Sequence, residues 1–356
     1  MNKKKVNGEI MSINLIKEKL NELQQDGVFP GATLGICTNR SKYLDFVGYK
    51  SIFPYKELNS LNTIYDLASL TKVIVTNTLV SIALMEKKIT LSTKIDKYFD
   101  DELYKNITIY NLITHTSGLV TTKRASSIYS YGDYEDYLNT IIKENIEKAR
   151  YSDINYILLG FIIEKIYNDS LDKIADIKIF KPLNMKNTTF KPNPKLCAPT
   201  EISSTRGIIK GMPHDEKSYY SNKIIGCSGL FAPIEDIIKF VQMVLNNGIV
   251  DGKVFLEKRY IDLWFKKLVT DIEDLNRGMG WIIGSSATTT KECCSDNTII
   301  HLGFTGTMII IDRGNNLGIV LLSNRVHPTR NNGKFKERKH EIVEAIYKNI
   351  AIYNEL

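Results

Sequence analysis

Residues 298–323, TIIHLGFTGTMIIIDRGNNLGIVLLS, contain three apolar runs rich in β-branched residues, and Gly, Thr and Asn separate these runs. Short β-branched runs bounded by Gly and Asn are typical of neighbouring strands that are joined by tight turns. The stretch therefore predicts three successive strands, Thr298–Leu302, Thr307–Asp312 and Leu317–Ser323.

Two more strand-like runs lie near the other end of the chain, at Ala32–Cys37 and Tyr43–Tyr49. Between the two groups of strands, apolar residues recur with helical spacing, most clearly in residues 73–86, 107–114 and 154–167. Strands near both ends with helices between them imply a sheet assembled from both termini, with the helical middle as an insertion. The expected fold class is therefore α/β (α+β).

The expected division of the chain follows from these patterns. Residues 12–26 predict a helix, because Ser12 can cap its start and Gly27 can end it. Helical spacing also predicts helices over about 234–246 and 337–354. The expected parts are a flexible N-terminal tail (1–11), a sheet region (12–72 with 232–356) and a mainly helical region (73–231).

Composition excludes several classes of protein. The chain has 356 residues, 43% of them hydrophobic and 24% charged, which are ordinary globular values. Its apolar runs are too short for a membrane-spanning helix, which needs about 18 residues. The net charge of +7 comes from scattered basic residues with no basic stripe carrying stacking aromatics. Neither a nucleic acid nor a membrane is therefore expected as a partner, although anionic substrates would be attracted.

The cysteines indicate a reducing compartment. Their number is odd and their spacing irregular, which argues against a disulfide framework. Residues 1–12 show no apolar core of a secretory signal, so a cytoplasmic location is expected, with translation starting at residue 1 or 11. No metal motif is present, and neither a metal nor a cofactor is expected. The five cysteines are Cys37, Cys197, Cys227, Cys293 and Cys294.

The sharpest chemical signal is Ser69-Leu70-Thr71-Lys72, directly before an apolar helical pattern. Residues three apart share one face of a helix, so the amine of Lys72 can reach the Ser69 hydroxyl. A serine becomes a strong nucleophile only when a neighbouring base takes its proton. The same spacing occurs at Ser170–Lys173 in a polar segment, and the alternative for Ser69 is that it only caps a helix.

Two further triplets fit the same chemistry. Tyr151 of Tyr151-Ser152-Asp153 precedes a helix, and beside Lys72 its phenolate would be favoured, so it could act as a general base and acid. At the end of a predicted strand, His301-Leu302-Gly303-Phe304 could offer a backbone N–H to an oxyanion. His301 could tune the charge of Tyr151 or bind a substrate carboxylate. Each triplet also has a purely structural interpretation, as a loop anchor or a strand histidine.

Ser-x-x-Lys, a Tyr-x-Asn-like triplet and a late Lys-or-His-x-Gly triplet, in this order, resemble the serine β-lactamase and penicillin-binding-protein superfamily. The chain looks like its class C-type branch, which includes esterases and peptidases. The resemblance implies one β-lactamase-related domain over about 29–330, with a mostly antiparallel, β-lactamase/transpeptidase-like sheet flanked by helices. The segments that resemble sequence motifs of that branch are Phe29–Ala32, Asp66–Lys72, Leu112–Leu119, Pro182–Met185, His214-Asp215, Gly229–Phe231, Phe304–Thr307 and Asn324–Arg330.

The resemblance also implies roles for individual residues. Ser69 would be the nucleophile, Lys72 and Tyr151 would handle its proton, and the backbone N–H groups of Ser69 and Phe304 would form the oxyanion hole. Residues expected to bind substrate are Asp153, His301, Leu302 and Gly303. Three of them depart from the superfamily pattern: Asp153 replaces Asn, Leu302 replaces Thr or Ser, and His301 replaces Lys. These departures make ester or cell-wall amide substrates more plausible than efficient β-lactam hydrolysis.

The expected function is a serine hydrolase that forms an acyl-enzyme with a small-molecule ester or amide, or with a peptide. A peptidase or amidase acting on cell-wall fragments, with weak β-lactamase activity, fits the same residues. The alternative outside enzymology is a catalytically silent protein that binds muropeptide-like ligands. Among other candidates, His115 is expected to brace a loop, Cys227 to be a small buried residue, and the consecutive His214-Asp215-Glu216 not to bind a metal. The oligomeric state is left open.

Overall fold

The computed structural model describes the backbone of residues 3–349 and the side chains of residues 14–349. Long strands are confined to the central sheet, and most of the two-residue strands form small hairpins or sheet edges. In chain order the strands are β1 (Gly31–Cys37), β2 (Lys42–Ser51), β3 (Glu57–Leu58), β4 (Tyr65–Asp66), β5 (Leu119–Thr121), β6 (Ile141–Lys143), β7 (Ile202–Ser203), β8 (Gly207–Ile208), β9 (Phe231–Ala232), β10 (Ile249–Val250), β11 (Lys253–Val254), β12 (Val269–Thr270), β13 (Asn276–Arg277), β14 (Ile282–Ile283), β15 (Thr298–Gly303), β16 (Thr307–Asp312) and β17 (Leu317–Ser323).

The helices include two π-helical segments. One, Lys72–Thr76, follows Ser69 and continues without a break into α2, and the other, Asp176–Phe180, follows α6. The α-helices are α1 (Lys3–Gln25), α2 (Asn77–Met85), α3 (Ile109–Ile113), α4 (Tyr131–Leu138), α5 (Asp153–Tyr167), α6 (Leu171–Ala175), α7 (Glu216–Tyr220), α8 (Ile234–Leu245), α9 (Lys258–Phe265) and α10 (Lys334–Lys348).

Nine strands of the described chain form one antiparallel sheet, in the order β12-β13-β14-β15-β16-β17-β1-β2-β3. Strand β1 pairs with β17, with Ala32 opposite Ser323 and Ile36 opposite Ile319. The sheet is thus built from both ends of the chain, as the sequence predicts. The three strands predicted within residues 298–323 are neighbours in the sheet, and only β15 differs from its predicted bounds, by one residue.

The two faces of the sheet pack against different helices. Successive side chains of a strand point to opposite faces, so each central strand contributes to two cores. Leu34 and Leu321 belong to the core formed with α1 and α10, whereas Val320 belongs to the larger core that includes α8. Gly35 allows α8 to approach closely, because a Cβ at this position would lie 2.7 Å from Ile238 Cδ1.

Strand pairing brings together the two ends of the mainly helical region. Strand β4, just before Ser69, pairs with β9, so that Tyr65 lies opposite Ala232. The chain between these strands contains α2–α7 and the hairpins β5–β6 and β7–β8. Because β4 also leads into Ser69, this pairing places Ser69 at the junction of the helical region and the sheet.

The structure departs from the sequence predictions mainly at the sheet edge and the chain ends. Helix α1 begins at Lys3, so residues 3–11, expected to be a flexible tail, are helical, and their Lys, Glu and Met are good helix formers. Strands β12–β14 have two residues each, too few to show alternation in the sequence. The helix expected over 337–354 spans Lys334–Lys348, and residues 350–354 lie outside the described residues. No helix in the described chain is both long and apolar enough to cross a membrane.

Candidate active site

Ser69 lies on a tight turn that the surrounding structure holds in place. The residue before it, Ala68, has a φ of 47°, a left-handed conformation that costs a non-glycine residue about 1–3 kcal/mol. Asp66 Oδ1 accepts the Ala68 N–H at 2.8 Å, and the Thr71 hydroxyl donates to the Ala68 carbonyl at 2.7 Å. Such strain concentrates at functional sites, and here it presents Ser69 at the start of the helix.

Lys72 lies beneath Ser69 and is almost completely buried, with 1% of its surface exposed. Its Nζ donates to Ser69 Oγ at 3.0 Å and to the Cys227 carbonyl at 2.8 Å. Lys72 also begins the π-helical segment, a feature often found at functional sites. The structure thus brings together the hydroxyl and amine that the Ser-x-x-Lys spacing predicts to meet.

The charge of Lys72 is set by Asp153, the first residue of α5. Asp153 Oδ1 lies 2.7 Å from Lys72 Nζ. Burial disfavours the charged form of Lys72 and by itself lowers its pKa. The attraction of Asp153, together with that of the other neighbours, outweighs burial, so the pKa of Lys72 is raised. Lys72 is therefore an ammonium group at neutral pH, a donor towards Ser69 and not a base.

Both oxygens of Asp153 are engaged. Its Oδ2 lies 3.1 Å from Lys217 Nζ, and Lys217 Nζ in turn lies 2.7 Å from Asp215 Oδ2. Burial would raise the pKa of Asp153, but Lys72 and Lys217 lower it below the usual range. Asp153, expected from the sequence to bind substrate, thus joins two lysines in a row of alternating charges: Lys72, Asp153, Lys217 and Asp215.

Tyr151 extends over this charged group from the loop before α5. Lys72 Nζ lies 5.1 Å from the centre of its ring, and Arg277 Cζ lies 5.5 Å from it. The ring of His115 packs against it with centroids 4.7 Å apart. Within the described residues no group hydrogen-bonds to the Tyr151 hydroxyl, and 39% of the residue is exposed. The phenol therefore lies beside both cations and is accessible from the cleft.

His115 braces the loop that carries Tyr151. Its Nδ1 accepts the Ser152 N–H at 3.1 Å, which requires the neutral ring to carry its proton on Nε2. The ring is buried, and burial together with the nearby Arg277 and Lys72 cations lowers the pKa of His115 well below its usual value. Its loop-bracing contact agrees with the role expected from the sequence.

His301 faces the same group from the end of β15 but carries no positive charge. Burial, Lys72 and Arg277 lower its pKa to about 3. Its Nδ1 lies 3.0 Å from the Leu302 carbonyl, which only accepts, so Nδ1 is the protonated nitrogen. The remaining nitrogen, Nε2, is then an acceptor. Nε2 can therefore accept a hydrogen bond from a substrate N–H or O–H group, whereas a substrate carboxylate gains no positive charge from His301.

Two backbone N–H groups are available for a developing oxyanion. Throughout the described chain, no acceptor pairs with the N–H of Ser69 or of Phe304. The ring of Phe304 lies between the His214 ring, with centroids 5.5 Å apart, and Arg325, whose Cζ is 4.7 Å from the ring centre. Arg325 Nε also donates to the Phe304 carbonyl at 2.9 Å. These contacts hold the turn after β15.

Gly303 is required by the close approach of this turn to Ser69. A Cβ on Gly303 would lie 2.0 Å from Thr307 Oγ1 and 2.6 Å from the Leu67 carbonyl. Thr307 Oγ1 also donates to that carbonyl, at 3.1 Å, and Thr305 Oγ1 donates to the Asp66 carbonyl at 2.7 Å. The chain entering Ser69 and the turn carrying Phe304 are thereby joined directly.

These residues line one cleft of about 580 Å³. Ser69, Tyr151 and the His301–Phe304 segment form one part of its wall. Leu302, partly buried, presents an apolar side chain there. Three cations, Arg325, Lys336 and Lys339, line another part, and none of them forms an ion pair with a side chain of the described residues.

The remaining sequence candidates have no catalytic geometry. Cys227 is fully buried, and burial with the nearby Asp153 and Asp215 raises its pKa to about 12, so its thiol is inert. All five cysteines are free. Among the described residues, no group of His, Cys, Asp and Glu could hold a metal ion.

Besides the cleft cations Arg325, Lys336 and Lys339, the sequence reasoning did not place Lys217 and Arg277 in the site. Both are buried charges, and Arg277 Nε lies 2.5 Å from the buried Asp271 Oδ2. Lys217 is close in sequence to His214-Asp215, one of the segments carrying the resemblance, and that proximity was the available signal. Nothing in the sequence pattern around Arg277 marks it.

Comparison with known proteins agrees with this geometry. The family described as "Beta-lactamase" matches residues 16–343. A "Putative D-alanyl-D-alanine carboxypeptidase" from Salmonella agona is 31% identical over 313 residues, covering 76% of this chain and 71% of the relative. An "N-acetylmuramyl-L-alanine amidase" from Bacillus subtilis is 30% identical over 355 residues, covering 84% and 78%. A solved class C beta-lactamase shares the fold, with a TM-score of 0.74 at 17% identity, covering 94% of this chain and 96% of that one. The chain belongs to the Beta-lactamase family and is a serine hydrolase of the kind that acts on ester or amide bonds.

Proposed function

We propose that the protein hydrolyses carboxylate-bearing esters or peptide amides in two steps, with Ser69 as the nucleophile. The observation that carries this proposal is the 3.0 Å contact between Lys72 Nζ and Ser69 Oγ at the cleft wall. Ser69 attacks the substrate carbonyl carbon, the tetrahedral intermediate expels the alcohol or amine, and water then hydrolyses the acyl-enzyme.

Lys72 and Tyr151 have different roles in activating Ser69. The ammonium group of Lys72, 2.7 Å from Asp153 Oδ1, orients Ser69 Oγ and stabilises negative charge that develops on it. Tyr151 takes the proton of Ser69 as the general base and then returns it to the leaving group as the general acid. The Tyr151 hydroxyl has no hydrogen-bond partner among the described residues and lines the same cleft as Ser69, which supports this role.

The N–H groups of Ser69 and Phe304 bind the oxyanion. Neither N–H has an acceptor within the described chain, so both can donate to a substrate oxygen, which supports this assignment. The loss of one such donor typically reduces turnover by about 10²–10³. Gly303 and the Arg325–Phe304 contacts keep the second donor in position.

The substrate carboxylate binds at the cationic part of the cleft. Arg325 and Lys339 are partly and almost fully buried, yet neither pairs with an acidic side chain of the described residues. Burial lowers the pKa of each, as expected for cations without a counter-ion. Relatives named as a carboxypeptidase and an amidase make cell-wall-derived peptides the first class to test.

Replacement of the nucleophile tests the proposal. Ser69→Ala should abolish hydrolysis of p-nitrophenyl butyrate and of acyl-D-alanyl-D-alanine peptides, and a fluorophosphonate should label only the protein that retains Ser69. Ser170→Ala is the matched control, because Ser170–Lys173 has the same spacing outside the cleft. Equal hydrolysis by the wild type and Ser69→Ala, or an unlabelled Ser69, would contradict the proposal.

The same experiment decides between the enzyme and a catalytically silent binding protein for muropeptide-like ligands. A binder would show saturable peptide binding without turnover in either protein. We also place the enzyme in the cytoplasm, a location supported by its five free cysteines. Cell fractionation followed by immunoblotting tests the location, and recovery with the envelope or the medium would contradict it.

A further inference from the structure

The row of charges behind Ser69 contains a buried lysine that has no role in the proposed mechanism, Lys217. Its side chain is 5% exposed, although an isolated lysine is seldom buried. Its ammonium group contacts Asp153 Oδ2 at 3.1 Å and Asp215 Oδ2 at 2.7 Å. A buried cation between two carboxylates balances their charge, so its presence alters the electrostatics of every group near it.

The position of Lys217 is tied to that of Ser69. Asp66 Oδ1 accepts the N–H of Ala68 in the Ser69 turn, and its Oδ2 accepts the N–H of His214 at 2.7 Å. Asp215 follows His214 and caps α7 by accepting the Ser218 N–H at 2.9 Å. One carboxylate thus connects the turn of the nucleophile to the segment that delivers Lys217.

The charges of the row add to zero. Lys72 and Lys217 contribute two positive charges, and Asp153 and Asp215 contribute two negative ones. Without Lys217 the row would carry one net negative charge directly behind the nucleophile. A carboxylate-bearing substrate would then be repelled, while a neutral substrate of the same shape would not.

We propose that Lys217 is a specificity-determining residue: by occupying the second oxygen of Asp153 it neutralises this carboxylate, so that the active site accepts anionic substrates. The inference rests on the proposed function, since it requires hydrolysis at Ser69. It predicts that the preference for anionic over neutral substrates follows the net charge of the row. Removing the charge of Lys217 makes the row more negative, and removing the charge of Asp153 makes it more positive.

The test compares kcat/KM for p-nitrophenyl hemisuccinate with kcat/KM for p-nitrophenyl butyrate. In Lys217→Met the row carries −1, and the anionic-to-neutral ratio should fall about tenfold or more, the size expected for one charge within several ångströms of the substrate. In Asp153→Asn the row carries +1, and the ratio should rise by a similar factor. The double variant is neutral again and should return to within about threefold of the wild-type ratio.

Two controls separate specificity from structural damage. Lys217→Arg keeps the charge and should keep the ratio. Lys239→Met removes a lysine that pairs at 3.0 Å with another buried carboxylate, Asp236, away from the cleft, and should leave the ratio unchanged. A variant that only disturbs packing lowers both rates together and leaves their ratio constant.

The outcomes distinguish this inference from the proposed function. Hydrolysis that survives Ser69→Ala overturns the proposed function and the inference with it. Hydrolysis that depends on Ser69, but with a ratio unchanged in Asp153→Asn and in Lys217→Met, overturns the inference alone. If Lys217→Met does not fold, Asp153→Asn and the double variant still decide the question, because they predict a raised and a restored ratio.

Discussion

Acidification should destabilise this protein through His301 before its carboxylates are protonated. The folded chain holds His301 neutral, with a pKa of about 3, whereas an unfolded histidine has a pKa of about 6.5. Between these values the unfolded state binds more protons, so stability falls as pH falls and is fully present above about pH 6.5. Between pH 7 and pH 5 the loss from this one side chain is about 2 kcal/mol, at about 1.4 kcal/mol per pH unit below 6.5.

Urea unfolding at pH 7, 6 and 5 measures this loss. His301→Gln cannot titrate, so its unfolding free energy should fall by about 2 kcal/mol less than that of the wild type between pH 7 and pH 5. His340→Gln, on α10 outside the cleft, is the matched control and should follow the wild type. A wild type and His301→Gln that lose the same stability would refute the reasoning, because His301 would then be protonated equally in both states.

Two other predictions concern stability and the oxyanion turn. Arg277→Met should cost about 3–5 kcal/mol of unfolding free energy, because it leaves Asp271 buried without its 2.5 Å partner. The double variant with Asp271→Asn should recover part of this loss in urea unfolding, and a double variant less stable than Arg277→Met would contradict the pairing. Gly303→Ala should reduce kcat by about 10²–10³, because its Cβ would lie 2.0 Å from Thr307 Oγ1 and displace an oxyanion donor. Gly132→Ala, where a Cβ meets nothing closer than 3.7 Å, should retain the wild-type kcat, and an equally active Gly303→Ala would contradict the prediction.

The central sheet could be predicted because its strands are long and locally patterned. Strands β16 and β17 have their predicted bounds, and β15 extends one residue further, to Gly303. Strands β12–β14 could not be predicted, because two-residue strands have no alternation and form only when β15 offers a partner. The start of α1 at Lys3 was also missed, because capping by Ser12 suggested a later start.

The sequence by itself determined that the Ser69 hydroxyl and the Lys72 amine meet, because the two residues lie one helical turn apart and their contact is local. It also determined the sheet order at the C-terminal end, where successive strands are joined by short turns. Only the tertiary structure decided the charge of each group. Burial opposes the ammonium state of Lys72, which Asp153 favours, whereas burial, Lys72 and Arg277 together keep His301 neutral; these partners are remote in sequence. Coulomb energies depend on distance in space and on exclusion of water, and neither quantity is written in the order of the residues.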